Sequence, residues 1–282
     1  MTTNNLREKA ERLRALHAGP RILVLCNAWD AASARVVEEA GFPAVATSSA
    51  GIAYSLGYPD GQRIPRQEMA AAVARITRAV AVPVTADMEA GYGRTPEAAA
   101  ETARAAIAAG AVGMNFEDAT DERDFIEIEL QCGRIRAARE AGAKAGVPLV
   151  LNARTDVYLA KKGDPEKWFG EAVRRVNAYR AAGADCLFVP GVYDGELIGR
   201  LVREIDGPLN ILAGPTTPPI PELERLGVRR VSLGSGPMRA AMTLVRKIVA
   251  ELNGTGTYTS FTRETISYAE ANRLFDSPKA SP

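Results

Sequence analysis

Eight short apolar runs, separated by stretches long enough for a helix, constrain this chain more than any other feature. They fall at residues 22–26, 44–48, 82–86, 112–116, 149–152, 186–189, 209–212 and 230–233. Runs of this length, rich in Val, Ile, Leu and Ala, read as strands buried on both faces. Between them, residues 30–40, 67–80, 96–109, 130–145, 165–182 and 237–252 are Ala-, Arg- and Glu-rich and carry the helical period. Gly41, Gly110, Gly183 and Gly227 sit where helices would end, each with a strand close behind. Eight such units favour an α/β fold of the (β/α)8 TIM-barrel type, with an open doubly wound sheet as the alternative. No linker marks an internal boundary, so residues 1–282 read as one barrel domain with a C-terminal tail at 255–282. Within that tail, 266–275 reads as a short amphipathic helix that packs on a neighbouring subunit.

Charge narrows the partners. Lys plus Arg number 35 and Asp plus Glu 34, a net charge of +1, with no basic block. That balance argues against nucleic acid or an anionic membrane as the principal partner. No apolar run approaches the ~20 residues of a membrane span. The polar start does not read as a secretory signal, and Cys26, Cys132 and Cys186 are scattered without zinc spacing. Together these imply a cytoplasmic protein. The one histidine, His17, closes a polar N-terminal helix, where a surface or capping role is expected.

In a barrel, chemistry collects where the strands end at their C-terminal side, and there the polar residues cluster. The third strand delivers Asp87 and Glu89 two residues apart, hence on one face, before Gly91 and Gly93 turn the chain away. Two adjacent like charges repel and cost desolvation unless a positive charge sits between them. A hard divalent cation held largely through water satisfies that condition. Other strand ends give Ser48 and Ser49, Asn115 with Glu117 and Asp118, Arg154 with Asp156, Asn210, and Ser232 with Ser235.

Six segments, each at its own strand end or in the loop after it, carry a resemblance. They begin at Asn27 (NAWDAASA), Thr47 (TSSAG), Gly57 (GYPD), Asp87 (DMEAGYG), Asn115 (NFED) and Asn152 (NARTD). The chain resembles the isocitrate lyase/phosphoenolpyruvate mutase superfamily. The resemblance implies a (β/α)8 barrel whose last helix is swapped between subunits of a homodimer or homotetramer, and a small carboxylic acid as substrate. It also implies Mg2+ or Mn2+ as cofactor, with Asp87 as the direct ligand and Glu89, Glu117 and Asp60 holding its waters. Residues 48–51 (Ser48, Ser49, Ala50, Gly51) and Asn210 would bind substrate, and Arg154 would clamp its carboxylate. Asp60, Glu117 and Arg154 are the catalytic candidates. The implied chemistry is cleavage at C3 of a 2-oxo acid or a 2-hydroxy di- or tricarboxylate, leaving a metal-stabilised enolate.

Two departures matter. The loop after the fourth strand, residues 117–130, lacks the Lys, His, Cys and Asn by which relatives perform proton transfer or hold a phosphoryl group. This favours a carbon–carbon lyase or an oxaloacetate-type decarboxylase over a phosphonopyruvate hydrolase or phosphonomutase; a non-catalytic 2-oxo acid binding protein is the third reading. Arg123 is the one cation in the loop, and Cys132 reads as a helix-face residue. Glu89 stands where most relatives have aspartate, one methylene longer. Asp118 and Asp156 are expected to cap helices or pair with Arg154, and Trp29 to pack in the core or serve the site. Tyr54, Tyr92, Tyr158 and a metal-bound water are open candidates for the proton donor.

Overall fold

The structure, a computed structural model, describes residues 2–119 and 124–276. The chain begins with α1 (Thr3–Ala18), capped by Thr2, then β1 (Leu23–Leu25), β2 (Asn27–Ala28), α2 (Ala31–Glu39) and β3 (Val45–Thr47). Next come α3 (Ser49–Ser55), α4 (Arg66–Ala79), β4 (Val84–Asp87), α5 (Pro96–Ala108), β5 (Gly113–Glu117) and α6 (Ile128–Lys144). The second half comprises β6 (Val150–Arg154), α7 (Val157–Ala160), α8 (Pro165–Ala181), β7 (Cys186–Phe188), α9 (Gly195–Glu204), β8 (Leu209–Leu212), α10 (Ile220–Leu226) and β9 (Arg230–Ser232). It closes with α11 (Gly236–Gly254), α12 (Thr259–Thr262) and α13 (Tyr268–Asp276).

All strand pairs are parallel, in the order β1-β9-β8-β7-β6-β5-β4-β3-β2. β1 and β2 are two segments of one strand interrupted at Cys26. The first pairs with β9 through Leu23 and Arg230, the second with β3 through Asn27 and Ala46. The ring therefore closes as an eight-membered barrel, as the eight apolar runs predict.

Burial follows the fold. Strand residues such as Leu25, Val45, Met114, Ala153, Leu187 and Ile211 are fully enclosed, and helix faces such as Met69, Val73 and Ile76 of α4 pack onto them. α1 stoppers the N-terminal end of the barrel. A Cβ on Gly113 would lie 2.8 Å from both Leu13 Cδ2 and Thr85 Oγ1, so only glycine lets Leu13 reach the interior there.

His17, expected at the surface, is instead 3% exposed beneath the barrel, with Nδ1 bonded to Leu13 O at 2.8 Å. The tail helix spans Tyr268–Asp276 and contacts α2 of its own chain. Leu274 is buried there and its carbonyl accepts from Arg35 Nε at 2.5 Å. Nineteen-residue α11 has no buried residue and exposes Met242, Val245, Val249 and Leu252. Among the described residues no helix is long and apolar enough to cross a membrane.

Candidate active site

The strand C-termini surround a cavity of about 480 Å³. A second groove, about 560 Å³, lies at the opposite end of the barrel against α1 and the start of β1; it is apolar and brings no acid cluster together. The chemistry belongs to the first.

Asp87 ends β4 and is locked to the end of β3. Its backbone N–H donates to Thr47 Oγ1 (2.8 Å), and its Oδ2 accepts from Ser49 N–H (3.0 Å) and Ser49 Oγ (2.8 Å). Oδ1 is buried with no partner among the described residues. Glu89 follows in a left-handed conformation (φ 51°), its Oε2 accepting from Gln62 N–H and its Oε1 likewise buried without a partner. Gln62 (φ 57°) returns the contact by accepting from Tyr92 N–H at 2.7 Å. Left-handed non-glycine residues cost energy and collect at functional sites. Here three of them stitch the α3–α4 loop to the β4–α5 loop.

The opposite side is built from β5 and β6, paired in register at Glu117 and Arg154. Arg154 Nη1 lies 2.6 Å from Glu117 Oε2, while Nε and Nη2 fork onto Asp156 at 2.5 and 2.9 Å. Three of the five guanidinium N–H groups are thereby used, leaving two for a ligand. Asp118 neither caps a helix nor pairs with Arg154. It is fully buried, accepts from Asp156 N–H (3.0 Å), Thr155 Oγ1 (2.7 Å) and Tyr179 OH (2.7 Å), and pairs with Arg175 at 3.2 Å. This set anchors the Arg154–Asp156 turn from behind.

Burial and crowded charge set the electrostatics of the site. Burial, reinforced by Asp87, pushes the Glu89 carboxyl up to about 8. Burial and then Asp87 raise Asp60. Burial raises Glu117 well above the usual range against the pull of Arg154, with Asp156, Asp87 and Glu89 adding to the rise. Arg154, despite burial, is raised by Asp156 and Glu117 and stays charged.

Residues 48–51 read as a turn in the sequence, but form the first turn of α3. Ser48 caps it, its Oγ accepting from Gly51 N–H at 3.1 Å. First-turn N–H groups have no intrahelical acceptor. That of Ser49 is taken by Asp87 and that of Gly51 by Ser48, which leaves Ala50 N–H for a ligand. Ser48, Ser49 and Ala50 line the cavity with Asp60, Asp87, Glu117 and Arg154. Gly51 packs behind, where a Cβ would meet Trp29 Cβ at 3.0 Å. Glu89 is not among the described residues that line the cavity. Asn210 is fully buried below the cavity, accepting from Ser232 Oγ at 3.2 Å. Arg123 lies outside the described residues.

The profile of the phosphoenolpyruvate phosphomutase family matches residues 13–253. The chain belongs to that family. It is 31% identical over 251 residues to an oxaloacetate decarboxylase of Rhodopseudomonas palustris, covering 85% of this chain and 83% of the relative. A crystal structure from Burkholderia cenocepacia superposes with a TM-score of 0.91 at 37% identity, covering 98% of both chains. A phosphonopyruvate hydrolase crystallised with oxalate and Mg2+ superposes at 0.82, with 27% identity and 94% of both chains covered. Proteins of this family thus include enzymes named for breaking different bonds.

The residues fit a hydrated divalent cation. Two orphaned carboxylate oxygens, Asp87 Oδ1 and Glu89 Oε1, are hard donors, and a nearby cation reverses the rise in Glu89. Among the described residues no three His, Cys, Asp or Glu side chains converge as direct ligands. Mg2+ in general keeps several waters and takes few direct carboxylates.

Sequence reasoning gave Asn27 no role of its own and did not single out the apolar wall. Asn27 ties three strand ends together, donating to Thr47 O (2.8 Å) and accepting from Leu233 and Gly234 N–H (2.8 and 2.9 Å). Leu159, Ala160, Phe188, Pro190 and Leu212 form the far wall. Their position at or just beyond strand C-termini was the available signal, but apolar residues there read equally well as core.

Proposed function

We propose that this protein is a Mg2+- or Mn2+-dependent lyase that cleaves or forms a carbon–carbon bond beside the 2-oxo or 2-hydroxy group of a di- or tricarboxylic acid. One observation carries the reading: Asp87, with a buried unpartnered oxygen, shares a cavity with an Arg154 fork and the Ala50 N–H. A cation cradle and a carboxylate clamp then face the same small molecule.

Asp87 would hold the cation, with Glu89, Glu117 and Asp60 around its waters. When bound, the cation supplies a Lewis acid for the charge that develops on the substrate oxygen beside the breaking bond. The chain's own residues do the rest. Arg154, held flat by Asp156 and Glu117, presents its two remaining N–H groups to a carboxylate, a geometry lysine lacks. Ala50 N–H donates to the same group from the other side. Proton transfer is assigned to Glu117 and Asp60, which line the cavity beside the Arg154 clamp. None of Tyr54, Tyr92 and Tyr158 lines the cavity.

The apolar wall favours a carbon skeleton over a phosphonate. Arg154 is the only cation among the described lining residues, and a phosphonate dianion calls for more. Incubation with 2,3-dimethylmalate, 2-methylisocitrate, oxaloacetate and phosphonopyruvate, with products read by NMR, identifies the bond. A 2-oxo acid product or CO2 from one of the first three is expected. Inorganic phosphate from phosphonopyruvate alone would replace the carbon–carbon reading with a phosphorus–carbon one.

A further inference from the structure

Interiors of this barrel type are ordinarily packed with branched apolar side chains. Below the cavity this one is polar, and it holds a cation that the chemistry above does not use. Arg230, the first residue of β9, is fully buried. A buried charge is costly unless compensated, and a guanidinium keeps its proton. Its partners are nevertheless neutral. Nε donates to Ser232 Oγ (3.3 Å), Nη2 to Asn115 Oδ1 (3.4 Å), and Nη1 has no partner among the described residues.

Those two partners line the cavity floor. They also extend the network sideways: Asn115 Oδ1 accepts from Asn152 Nδ2 (2.6 Å), and Ser232 Oγ donates to Asn210 Oδ1 (3.2 Å). Asn115 is the register partner of Asp87 across β4 and β5. The guanidinium thus lies one hydrogen bond beneath a floor on which Asp60, Asp87, Glu117 and Asp156 converge with Arg154 as their lone described counter-charge. Asp87 is the carboxylate whose field acts on Arg230, opposing the effect of burial.

We propose that Arg230 is a positioning residue and the fixed counter-cation of the acid cluster, weakening its hold on a free divalent cation and strengthening its hold on the anionic ligand that joins the cation. This rests on the metal-and-carboxylate reading of the site. A unit charge on the order of 10 Å away, at the effective dielectric of a protein, shifts the affinity of a doubly charged ligand by about tenfold or more, with opposite sign for cation and anion. A guanidinium that only filled space and held the floor would produce no such split; its loss would weaken both ligands together.

The test measures Mn2+ binding by electron paramagnetic resonance, then oxalate binding to the Mn2+-loaded protein by calorimetry, in wild type, Arg230→Gln, Arg230→Met and Arg230→Lys. The expected result is Mn2+ binding about fivefold or more tighter, and oxalate weaker by a similar factor, in the two neutral variants, with the lysine variant close to wild type. Parallel weakening of both ligands, or a lysine variant that behaves like the neutral ones, would overturn the proposal. So would failure of both neutral variants to fold while Arg230→Lys folds, since the charge would then serve the fold. Wild-type protein that binds no Mn2+ would overturn the metal reading itself, and this inference with it.

Discussion

Arg154 shows how much a single residue can be committed before a ligand arrives. With Nε and Nη2 on Asp156 and one Nη1 hydrogen on Glu117, its plane is fixed by the protein. Lysine can keep the charge but neither fork. Arg154→Lys is therefore expected to lower kcat/KM by about 100-fold, consistent with losing one or two charged hydrogen bonds of ~1.5–3 kcal/mol each; steady-state kinetics on the active substrate checks this. His17 gives a separate prediction. Burial, then the charge of Arg230, lowers it to about 4, against an ordinary 6.5. Above pH 6.5 the ring is neutral folded or unfolded and costs nothing. Between 6.5 and about 4 the unfolded chain binds a proton that the native state refuses, so stability falls as pH falls, by up to about 3 kcal/mol. Denaturant midpoints of wild type and His17→Gln at pH 7.5 and 4.5 should differ by a term that appears only at the lower pH. At this scale the acids were legible because two carboxylates side by side at a strand end repel each other unless a cation joins them. The partners of Asp118 were not, because Arg175 and Tyr179 lie 57 and 61 residues away, and no local pattern links them.

At the level of elements, the eight strands were legible from their apolar runs because both faces are covered, and the long helices from their period. The short pieces were not. α3 has seven residues and a glycine in its first turn, so it reads as a turn until the Ser48 cap and the bonds to Asp87 are seen. The break at Cys26 leaves no mark in the hydrophobic pattern. The β4–α5 loop makes the sharpest test of an element's conformation. Gly91 has φ +81°, and a Cβ there would stand 2.2 Å from Phe116 Cε2 and 3.2 Å from Arg134 Nη2. Gly91→Ala should cost about 3 kcal/mol or more, combining left-handed strain with overpacking. Gly41 shares the left-handed φ (+82°) but has nothing within 4 Å, so Gly41→Ala should cost about 1 kcal/mol. Urea unfolding of the two variants side by side separates the clash from the backbone term.

Over the whole molecule, the barrel was readable from its eight apolar runs, and the family from six short segments that each sit where the fold places chemistry. Assembly was not readable in the same way. α11 lies off its own barrel with Met242, Val245, Val249 and Leu252 exposed along one side, and an apolar stripe of that length is unusual on a monomer. We expect a homodimer or homotetramer that buries it. Light scattering after size exclusion should show a dimer or larger species for wild type and a monomer for Val245→Asp combined with Val249→Asp; a wild-type monomer would contradict this. The central claim is that Asp87 and a divalent cation act together in cleavage. Its most direct test is 2-oxo acid release from the active panel substrate, with Mg2+ or EDTA, in wild type and Asp87→Asn. Release by wild type with Mg2+, abolished by EDTA and reduced at least about 1,000-fold in the isosteric variant, on the scale of losing a group that stabilises the transition state, is the predicted result. Release that survives EDTA, or an Asp87→Asn variant that keeps wild-type turnover, would contradict it.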